Sequence, residues 1–201
     1  MPKLHILGDS ISMHYGPYVE KFLAGTAWTY SRKEGPVGSI DHGGGANGGD
    51  SAAVLGYLRD CRAAGLRWDL LLVNCGLHDI KTDPATGARQ VREDDYRANL
   101  QAVTALAPAL AGRMAWIRTT HVVDAIHLRH NSAFHRHADD QARYNAIADA
   151  VMAAAGITVI DLDRLTRAIG GDEVFCDHVH FTEPVRVTQG AFLAGWLAGD
   201  L

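Results

Sequence analysis

Residues 4–10 read LHILGDS, a short apolar run that ends in glycine, aspartate and serine. The run over residues 4–7 has the length and composition of a buried strand, and the glycine and aspartate after it favour a turn. Apolar residues at helical spacing then predict a helix over residues 13–23. The sequence therefore places Ser10 at a strand-to-helix turn, with its backbone N–H at the N-terminus of a helix.

Strand and helix patterns continue to alternate along the chain. The clearest strand is residues 69–75, DLLLVNC, a continuous apolar run followed by Gly76. Further strands are predicted over residues 27–31, 114–118 and 157–162, and helices over about 51–64, 94–110, 141–155 and 184–197. This alternation predicts an α/β fold, a three-layer α/β/α sandwich with a parallel sheet of about five strands.

Several polar or glycine-rich segments follow these predicted strands. They are Ser10, the glycine-rich stretch 32–50, residues 76–79 and a long polar loop over residues 119–138. In parallel sheets of this kind, ligands bind beyond the carboxyl ends of the strands. We therefore expect these segments to gather at one edge of the sheet.

The bulk composition limits the classes of function. A length of 201 residues favours one domain over residues 1–201, and 47% hydrophobic with 21% charged residues is typical of a globular protein. A formal net charge of −4 gives no electrostatic reason to expect nucleic acid or an anionic membrane surface as a partner. No run approaches the roughly 18 apolar residues that span a membrane.

The N-terminal apolar run is too short for the hydrophobic region of a signal peptide, so we expect a cytoplasmic protein. The cysteines are Cys61, Cys75 and Cys176, an odd number without CxxC or zinc-ligand spacing. We expect buried free thiols, which agrees with a reducing compartment.

Residues 177–180 read DHVH, far along the chain from Ser10. A separation of three residues lets the Asp177 carboxylate reach one imidazole nitrogen of His180 while the other faces outward. His178 is spaced less well for pairing with Asp177. A serine hydroxyl needs a base to take its proton, and His180 would be that base. Taken separately, however, Ser10 also fits a simple helix N-cap, and the DHVH segment a solvated surface turn.

Four sequence blocks occur in order: LGDSI at residues 7–11, GGDS at 48–51, NCGLHD at 74–79 and DHVH at 177–180. In this the chain resembles the SGNH, or GDSL-type, hydrolase superfamily. There, Gly-Asp-Ser follows the first strand, a glycine block the second and Gly-x-Asn-Asp the third, and Asp-x-x-His precedes the last helix. The resemblance spans essentially the whole chain and implies the flavodoxin-like SGNH hydrolase fold.

The resemblance also implies roles for individual residues. Ser10 would be the nucleophile, His180 the general base and Asp177 the residue that orients it. The backbone N–H groups of Ser10 and Gly49 would form the oxyanion hole, since a glycine lets the substrate approach its amide closely. Gly48 is the neighbouring alternative for this role, and Gly49 also fits a residue that merely permits a tight turn.

The third block departs from the family pattern, because His78 stands where the oxyanion asparagine is expected. A neutral imidazole still donates one N–H, so we favour His78 as an oxyanion donor, although it reaches further than an amide. A protonated His78 would donate more strongly and make activity sensitive to pH. Substrate binding by His78 is the alternative. Asp79, like Asp9, is expected to brace its turn through backbone hydrogen bonds.

Histidines concentrate in the loop over residues 119–138, and imidazole is the commonest transition-metal ligand. They are His121, His127, His130, His135 and His137. The loop has no i, i+4 histidine pair with helical character and no patterned carboxylate. We therefore expect no metal site there, and interpret the loop as a polar lid or substrate loop.

The sequence thus predicts a serine esterase that hydrolyses short-chain esters, above all acetyl esters, of a carbohydrate or other polar alcohol through an acyl-enzyme on Ser10, with no metal or organic cofactor. The two segments left to form a pocket, residues 32–46 and 119–138, are polar and lack a long apolar lid, which favours a small acyl group. The alternatives are an acyltransferase with the same triad, and a non-catalytic carbohydrate- or metal-binding module on the same fold.

Overall fold

A computed structural model describes residues 1–199 and contains one parallel sheet. Its strands are β1 Lys3–Leu7, β2 Thr29–Arg32, β3 Trp68–Val73, β4 Ala111–Ile117 and β5 Thr158–Ile160. They lie in the order β2-β1-β3-β4-β5, and every neighbouring pair is parallel. The predicted five-stranded parallel sheet is confirmed.

Helices connect the strands. They are α1 Ser10–Leu23, α2 Ser51–Ala63, α3 Glu93–Leu110, α4 Asp124–His130, α5 Ala138–Ala154, α6 Leu162–Ile169 and α7 Glu183–Gly199, with a short 3-10 turn at Asp172–Val174. One group forms where α1 and α6 pack on α7, and a second where α2 and α5 pack on α3. With the sheet between these groups, the architecture is the three-layer α/β/α sandwich expected from the sequence.

The central strand explains why the apolar run over residues 69–75 is continuous. Residues 70–73 of β3 are at most 1% exposed. The strand has parallel neighbours on both edges and helices on both faces, so neither face meets water and no polar alternation is needed. The N-terminal half of this strand is less buried, and Trp68 and Asp69 lie at its accessible end.

The structure differs from the sequence prediction in two helices. The segment predicted as a continuous polar loop over residues 119–138 contains α4, and the segment after β5 contains α6, which was not predicted. Both are short, seven and eight residues, so neither is long enough for apolar periodicity to identify it.

The cysteines are free thiols, but Cys176 is exposed, so the prediction that all three are buried was wrong at that position.

The topology brings the loops that carry the sequence blocks together. The order of the strands reverses at β1 and β3, and the chain leaves the ends of these two strands through Gly8 and residues 74–79. The Gly48 N–H donates to the Gly8 carbonyl oxygen at 2.9 Å, which joins the glycine-rich loop to the turn before Ser10. A Cβ at Gly48 would lie 2.8 Å from that oxygen, so this approach requires glycine.

Within residues 1–199, no helix has the length and apolar character needed to cross a membrane.

Candidate active site

Ser10 is the first residue of α1 and follows β1 by only two residues. Asp9 caps the helix, since its Oδ1 accepts the Ile11 N–H at 3.0 Å. A Cβ at Gly8 would lie 2.9 Å from the Ser12 Cβ, so the turn is too tight for a larger residue. The cap and the glycine fix the Ser10 side chain at the carboxyl end of the sheet, where it is 4% exposed.

Ser10, His180 and Asp177 form a continuous chain of hydrogen bonds. His180 Nε2 lies 2.7 Å from Ser10 Oγ, and His180 Nδ1 lies 2.7 Å from Asp177 Oδ2. The carboxylate accepts only, so Nδ1 carries the imidazole proton and Nε2 is left to accept the serine hydroxyl. The three side chains thus have the relative positions that proton removal from Ser10 requires.

The Asp177 carboxylate is held in its ionised form. Partial burial alone would raise its pKa, but hydrogen bonds from the His180 side chain and from two backbone N–H groups outweigh burial and hold the pKa well below its usual range. Those N–H groups, of Val179 and His180, reach Oδ1 at 2.9 and 2.8 Å. This explains the three-residue spacing, because the turn lets one carboxylate oxygen bind the backbone while the other orients the imidazole.

His178 does not share Asp177 with His180. Its Nε2 lies 2.9 Å from Asp41 Oδ1, and this contact is the main reason that the pKa of Asp41 falls to about 2. Lys81 also donates to the Asp41 carbonyl oxygen. Asp41 therefore attaches the loop between β2 and α2 to the segment that carries Asp177 and His180.

Arg136 is an almost fully buried cation next to this site, with 1% of its surface exposed. Its Nε donates to the Leu77 carbonyl oxygen at 2.6 Å, and its guanidinium lies 3.3 Å from His178 Nδ1. Burial lowers its pKa to about 10, so it stays protonated at neutral pH. Arg136 thereby supports the turn that carries His78 and supplies positive charge among the site carboxylates.

The two backbone N–H groups predicted for the oxyanion hole, those of Ser10 and Gly49, have different surroundings in the structure. The Ser10 N–H is at the N-terminus of a 14-residue helix, where peptide dipoles favour an anion. The Gly49 N–H donates to Asn47 Oδ1 at 2.9 Å, and Gly49 has a φ of +75°, which glycine adopts readily. To act on an oxyanion, the Gly49 N–H must be shared with Asn47 Oδ1 or released from it.

His78 lies in the turn after β3 and is 1% exposed. Burial, followed by the positive charges of Lys81 and Arg136, lowers its pKa to about 2. The imidazole is therefore neutral at neutral pH and donates through one nitrogen only. The structure does not favour the protonated form of His78 that the sequence left open, and His78 is not expected to be a source of pH dependence near neutrality.

Comparison with known proteins identifies the family of this chain. A model of the GDSL-like lipase/acylhydrolase family matches residues 6–184. The chain belongs to this family. Its members are esterases and acylhydrolases, so the chain is a carboxylic ester hydrolase, and the resemblance found in the sequence is confirmed. No curated protein sequence matches the chain significantly.

Solved structures of GDSL-type and related esterases share the fold at low identity. The lipase/acylhydrolase from Enterococcus faecalis is 18% identical, with a TM-score of 0.74 and coverage of 100% of this chain and 97% of that one. Est24, a carbohydrate acetylesterase from Sinorhizobium meliloti, is 12% identical, with a TM-score of 0.68 and full coverage of both chains. Axe2, an acetylxylan esterase from Geobacillus stearothermophilus, is 15% identical over 98% of this chain and 93% of that one, with a TM-score of 0.69.

In this GDSL-type hydrolase three histidines of the loop over residues 119–138 have different hydrogen-bond partners. His121 pairs with Asp163, His137 pairs with Asp124, and His127 contacts the Phe134 carbonyl oxygen and the His178 ring. Within residues 1–199, one group offers three metal-ligand atoms within 4.8 Å of one another, Asp177, His178 and His180. Both nitrogens of His180 are used by the triad, so a metal there would compete with it.

Sequence reasoning missed four side chains around the site: His14, Asp41, Asn47 and Arg136. His14 lies one helical turn after Ser10, and its ring packs against the His180 ring with centroids 4.9 Å apart. The four-residue spacing places His14 on the same face of α1 as Ser10, and this could have identified it from the sequence. The other three contact the site through loops, and only the folded chain shows these contacts.

Asp79 is fully buried and braces the turn of the third block, with Oδ1 accepting the Ser51 N–H at 2.9 Å. Burial raises its pKa to about 7, although hydrogen bonds from Ser51 oppose this.

We therefore expect Asp79→Asn to change how stability depends on pH. The unfolded chain releases the Asp79 proton near its ordinary pKa, whereas the folded chain holds it to about pH 7, so wild-type stability falls across this interval. The asparagine cannot titrate. Relative to the variant, the wild-type protein should lose on the order of 3 kcal/mol between pH 5 and pH 8. Urea unfolding of both proteins across this range measures the difference, and a pH-independent difference would contradict the assignment.

Proposed function

We propose that this protein is a serine esterase that hydrolyses short-chain esters, above all acetyl esters, of a carbohydrate or other polar alcohol through an acyl-enzyme on Ser10. One observation carries the proposal. Ser10 Oγ, both nitrogens of His180 and the Asp177 carboxylate are joined by contacts of 2.7 Å at the carboxyl edge of the sheet. A structural N-cap serine has no need of a base oriented by a carboxylate.

The reaction has two halves. Ser10 Oγ attacks the ester carbonyl carbon while its proton passes to His180 Nε2, and the resulting imidazolium is stabilised by Asp177. His180 then gives this proton to the leaving alcohol as the C–O bond breaks, which leaves the acyl group on Ser10. In the second half, water attacks the acyl carbonyl as His180 takes its proton. The proton returns to Ser10 as the acid departs.

Three groups are proposed to stabilise the oxyanion of each tetrahedral intermediate. The Ser10 N–H lies at the N-terminus of α1. The neutral ring of His78 supplies one further N–H, and Gly49 supplies a third through a hydrogen bond shared with Asn47 Oδ1. Removing a single donor from such a hole typically costs on the order of 10²–10³ in rate.

Covalent labelling of Ser10 tests the proposed nucleophile. A serine-directed fluorophosphonate should form an adduct on the peptide that carries Ser10, seen by mass spectrometry, because the reagent needs an activated hydroxyl next to oxyanion donors. His180→Ala should slow labelling strongly, since it removes the base. Unlabelled Ser10 in the folded wild-type protein would overturn the proposal and favour a binding module.

The surroundings of Ser10 support a small acyl group. The rings of His14 and His178 pack against the His180 ring, and the charge of His180 contributes to the lowered pKa of His78, so polar rings lie around the proposed base. An apolar groove of about 280 Å³ does exist, but Phe22, Leu23 and Trp28 line it at the other end of α1. A helix of 14 residues is roughly 20 Å long, so this groove is too far from Ser10 to receive the acyl chain of a bound ester.

We expect the rate of ester hydrolysis to fall as the acyl chain lengthens. Values of kcat/KM for p-nitrophenyl acetate, butyrate, octanoate and decanoate should decrease in that order, because the rings that contact His180 are polar and the apolar groove lies at the other end of α1. Two structural neighbours, a carbohydrate acetylesterase and an acetylxylan esterase, suggest acetylated sugars as the next substrates to assay. A maximum beyond octanoate would contradict the proposed acyl size.

A further inference from the structure

We infer that Asn47 is a positioning residue of the oxyanion site, which fixes the proton of His78 on Nδ1 so that this nitrogen is the donor. The catalytic role of Asn47 rests on the proposed function, since it explains how a histidine replaces the asparagine of the family pattern. The tautomer of His78 is inferred from the contacts of Asn47.

The orientation of the Asn47 amide is determined by two hydrogen bonds. Its Oδ1 accepts the Gly49 N–H at 2.9 Å, and its Nδ2 donates to the Ile40 carbonyl oxygen at 2.9 Å. Exchange of the amide oxygen and nitrogen would place two donors together at Gly49 and two acceptors together at Ile40. The side chain is wholly buried, so water does not compensate for such an exchange.

The second hydrogen of the Asn47 amide determines the tautomer of His78. Asn47 Nδ2 lies 3.5 Å from His78 Nε2, a long hydrogen bond within a buried region. An amide nitrogen donates and does not accept, so the facing Nε2 must offer its lone pair. His78 is neutral, because burial and nearby positive charges lower its pKa to about 2. A neutral imidazole with a bare Nε2 carries its proton on Nδ1.

In the Nδ1–H tautomer the donor is the same number of bonds from Cα as the amide nitrogen of an asparagine. In both residues the δ nitrogen is three bonds from Cα, through Cβ and Cγ. The further reach of histidine applies to Nε2, at the far side of the ring. A His78 that donates from Nδ1 therefore replaces the asparagine amide without a wider pocket, whereas the other tautomer would donate toward Asn47.

Asn47 contacts two of the proposed oxyanion donors, because it binds the Gly49 N–H and faces the His78 ring. Loss of the Asn47 amide nitrogen should therefore affect His78, whereas loss of the Asn47 amide oxygen should affect Gly49. Asn47→Asp separates these effects, since it keeps an acceptor toward Gly49 and replaces the donor toward His78 by a second acceptor.

Nitrogen-15 NMR of histidine-labelled protein reads the tautomer directly. Comparison of the wild type with His78→Asn assigns the His78 signals. We expect a protonated Nδ1 and an unprotonated Nε2 in the wild type, and a proton on Nε2 in Asn47→Asp. An Nε2–H tautomer in the wild type would overturn the inference even if Asn47→Asp fails to fold, because that measurement needs no variant at position 47.

A double-mutant cycle tests the catalytic consequence. Asn47→Asp should lower kcat at least 10-fold where position 78 is histidine, and by much less in the His78→Asn background, because asparagine has no tautomer. The effects on Gly49 and Ile40 occur in both backgrounds and cancel. Equal losses in the two backgrounds would overturn the positioning role. Failure of the proposed function would instead appear as an unlabelled Ser10, whatever the tautomer of His78.

Discussion

Ser10→Ala is expected to lower kcat/KM for p-nitrophenyl acetate by about 10⁶-fold, the loss typical of removing the nucleophile of a Ser-His-Asp site. The hydroxyl proposed to form the acyl-enzyme is absent from this variant, and we expect the fold to be unchanged because alanine suits the first turn of α1. The remaining rate should come from the oxyanion donors and substrate binding alone. Steady-state hydrolysis at matched protein concentration measures this loss.

Ser12→Ala is the matched control for this experiment. Ser12 lies on the same helix and is also buried, but its hydroxyl donates to the Asp9 carbonyl oxygen at 2.7 Å and not to His180. This variant should hydrolyse the ester at nearly the wild-type rate. A Ser10→Ala protein that keeps more than a hundredth of wild-type activity, with Ser12→Ala unchanged, would show that another group is the nucleophile.

Asp177→Asn is expected to lower kcat by about 10⁴-fold, as replacement of the triad carboxylate does in serine proteases. The side chain keeps its shape but loses its negative charge, and its amide nitrogen can donate to His180 Nδ1. This favours the tautomer with the proton on Nε2, which cannot accept the Ser10 proton. Single-turnover kinetics with a chromogenic acetate would measure the acylation step on its own.

A carboxylate close in the chain but outside the triad provides the comparison for Asp177→Asn. Asp172 lies in the exposed 3-10 turn Asp172–Val174, five residues before Asp177, and Asp172→Asn should leave the rate unchanged. If Asp177→Asn kept a tenth or more of the wild-type rate, the carboxylate would have a structural role in its turn and no catalytic one.

The sequence predicts the sheet and the triad because both are encoded by local patterns in the right order. The apolar run of β3, the glycine before Ser10 and the spacing of Asp177 from His180 each restrict the backbone within a few residues. The general property of parallel sheets, whose functional loops share one edge, accounts for the segments that follow strands. The adjacency of Ser10 and His180 was implied by the resemblance to the SGNH family, because residues 177–180 do not follow a strand directly.

The sequence does not predict the residues that surround the triad, because their contacts involve side chains that meet only in the folded chain. Asp41 reaches His178 from a glycine-rich loop whose path has no periodic pattern. Arg136 is buried although its sequence neighbours are polar, so composition predicts a solvent-exposed side chain there. The Gly49 N–H was expected to donate to the oxyanion, and its hydrogen bond to Asn47 Oδ1 depends on the rotamer of Asn47. Backbone patterns carry no information about that rotamer.

The proposed nucleophile Ser10 and its proposed base His180 are separated by 170 residues of chain. Ser10 begins α1, His180 lies just before α7, and these two helices pack on each other. This separation has a consequence for biosynthesis. While the chain is being translated, Ser10 leaves the ribosome long before His180 is made, so a nascent chain has a serine without a base. Under the proposed mechanism, hydrolysis begins only when the segment that carries His180 reaches Ser10. Activity would then report that the two ends of the chain have come together.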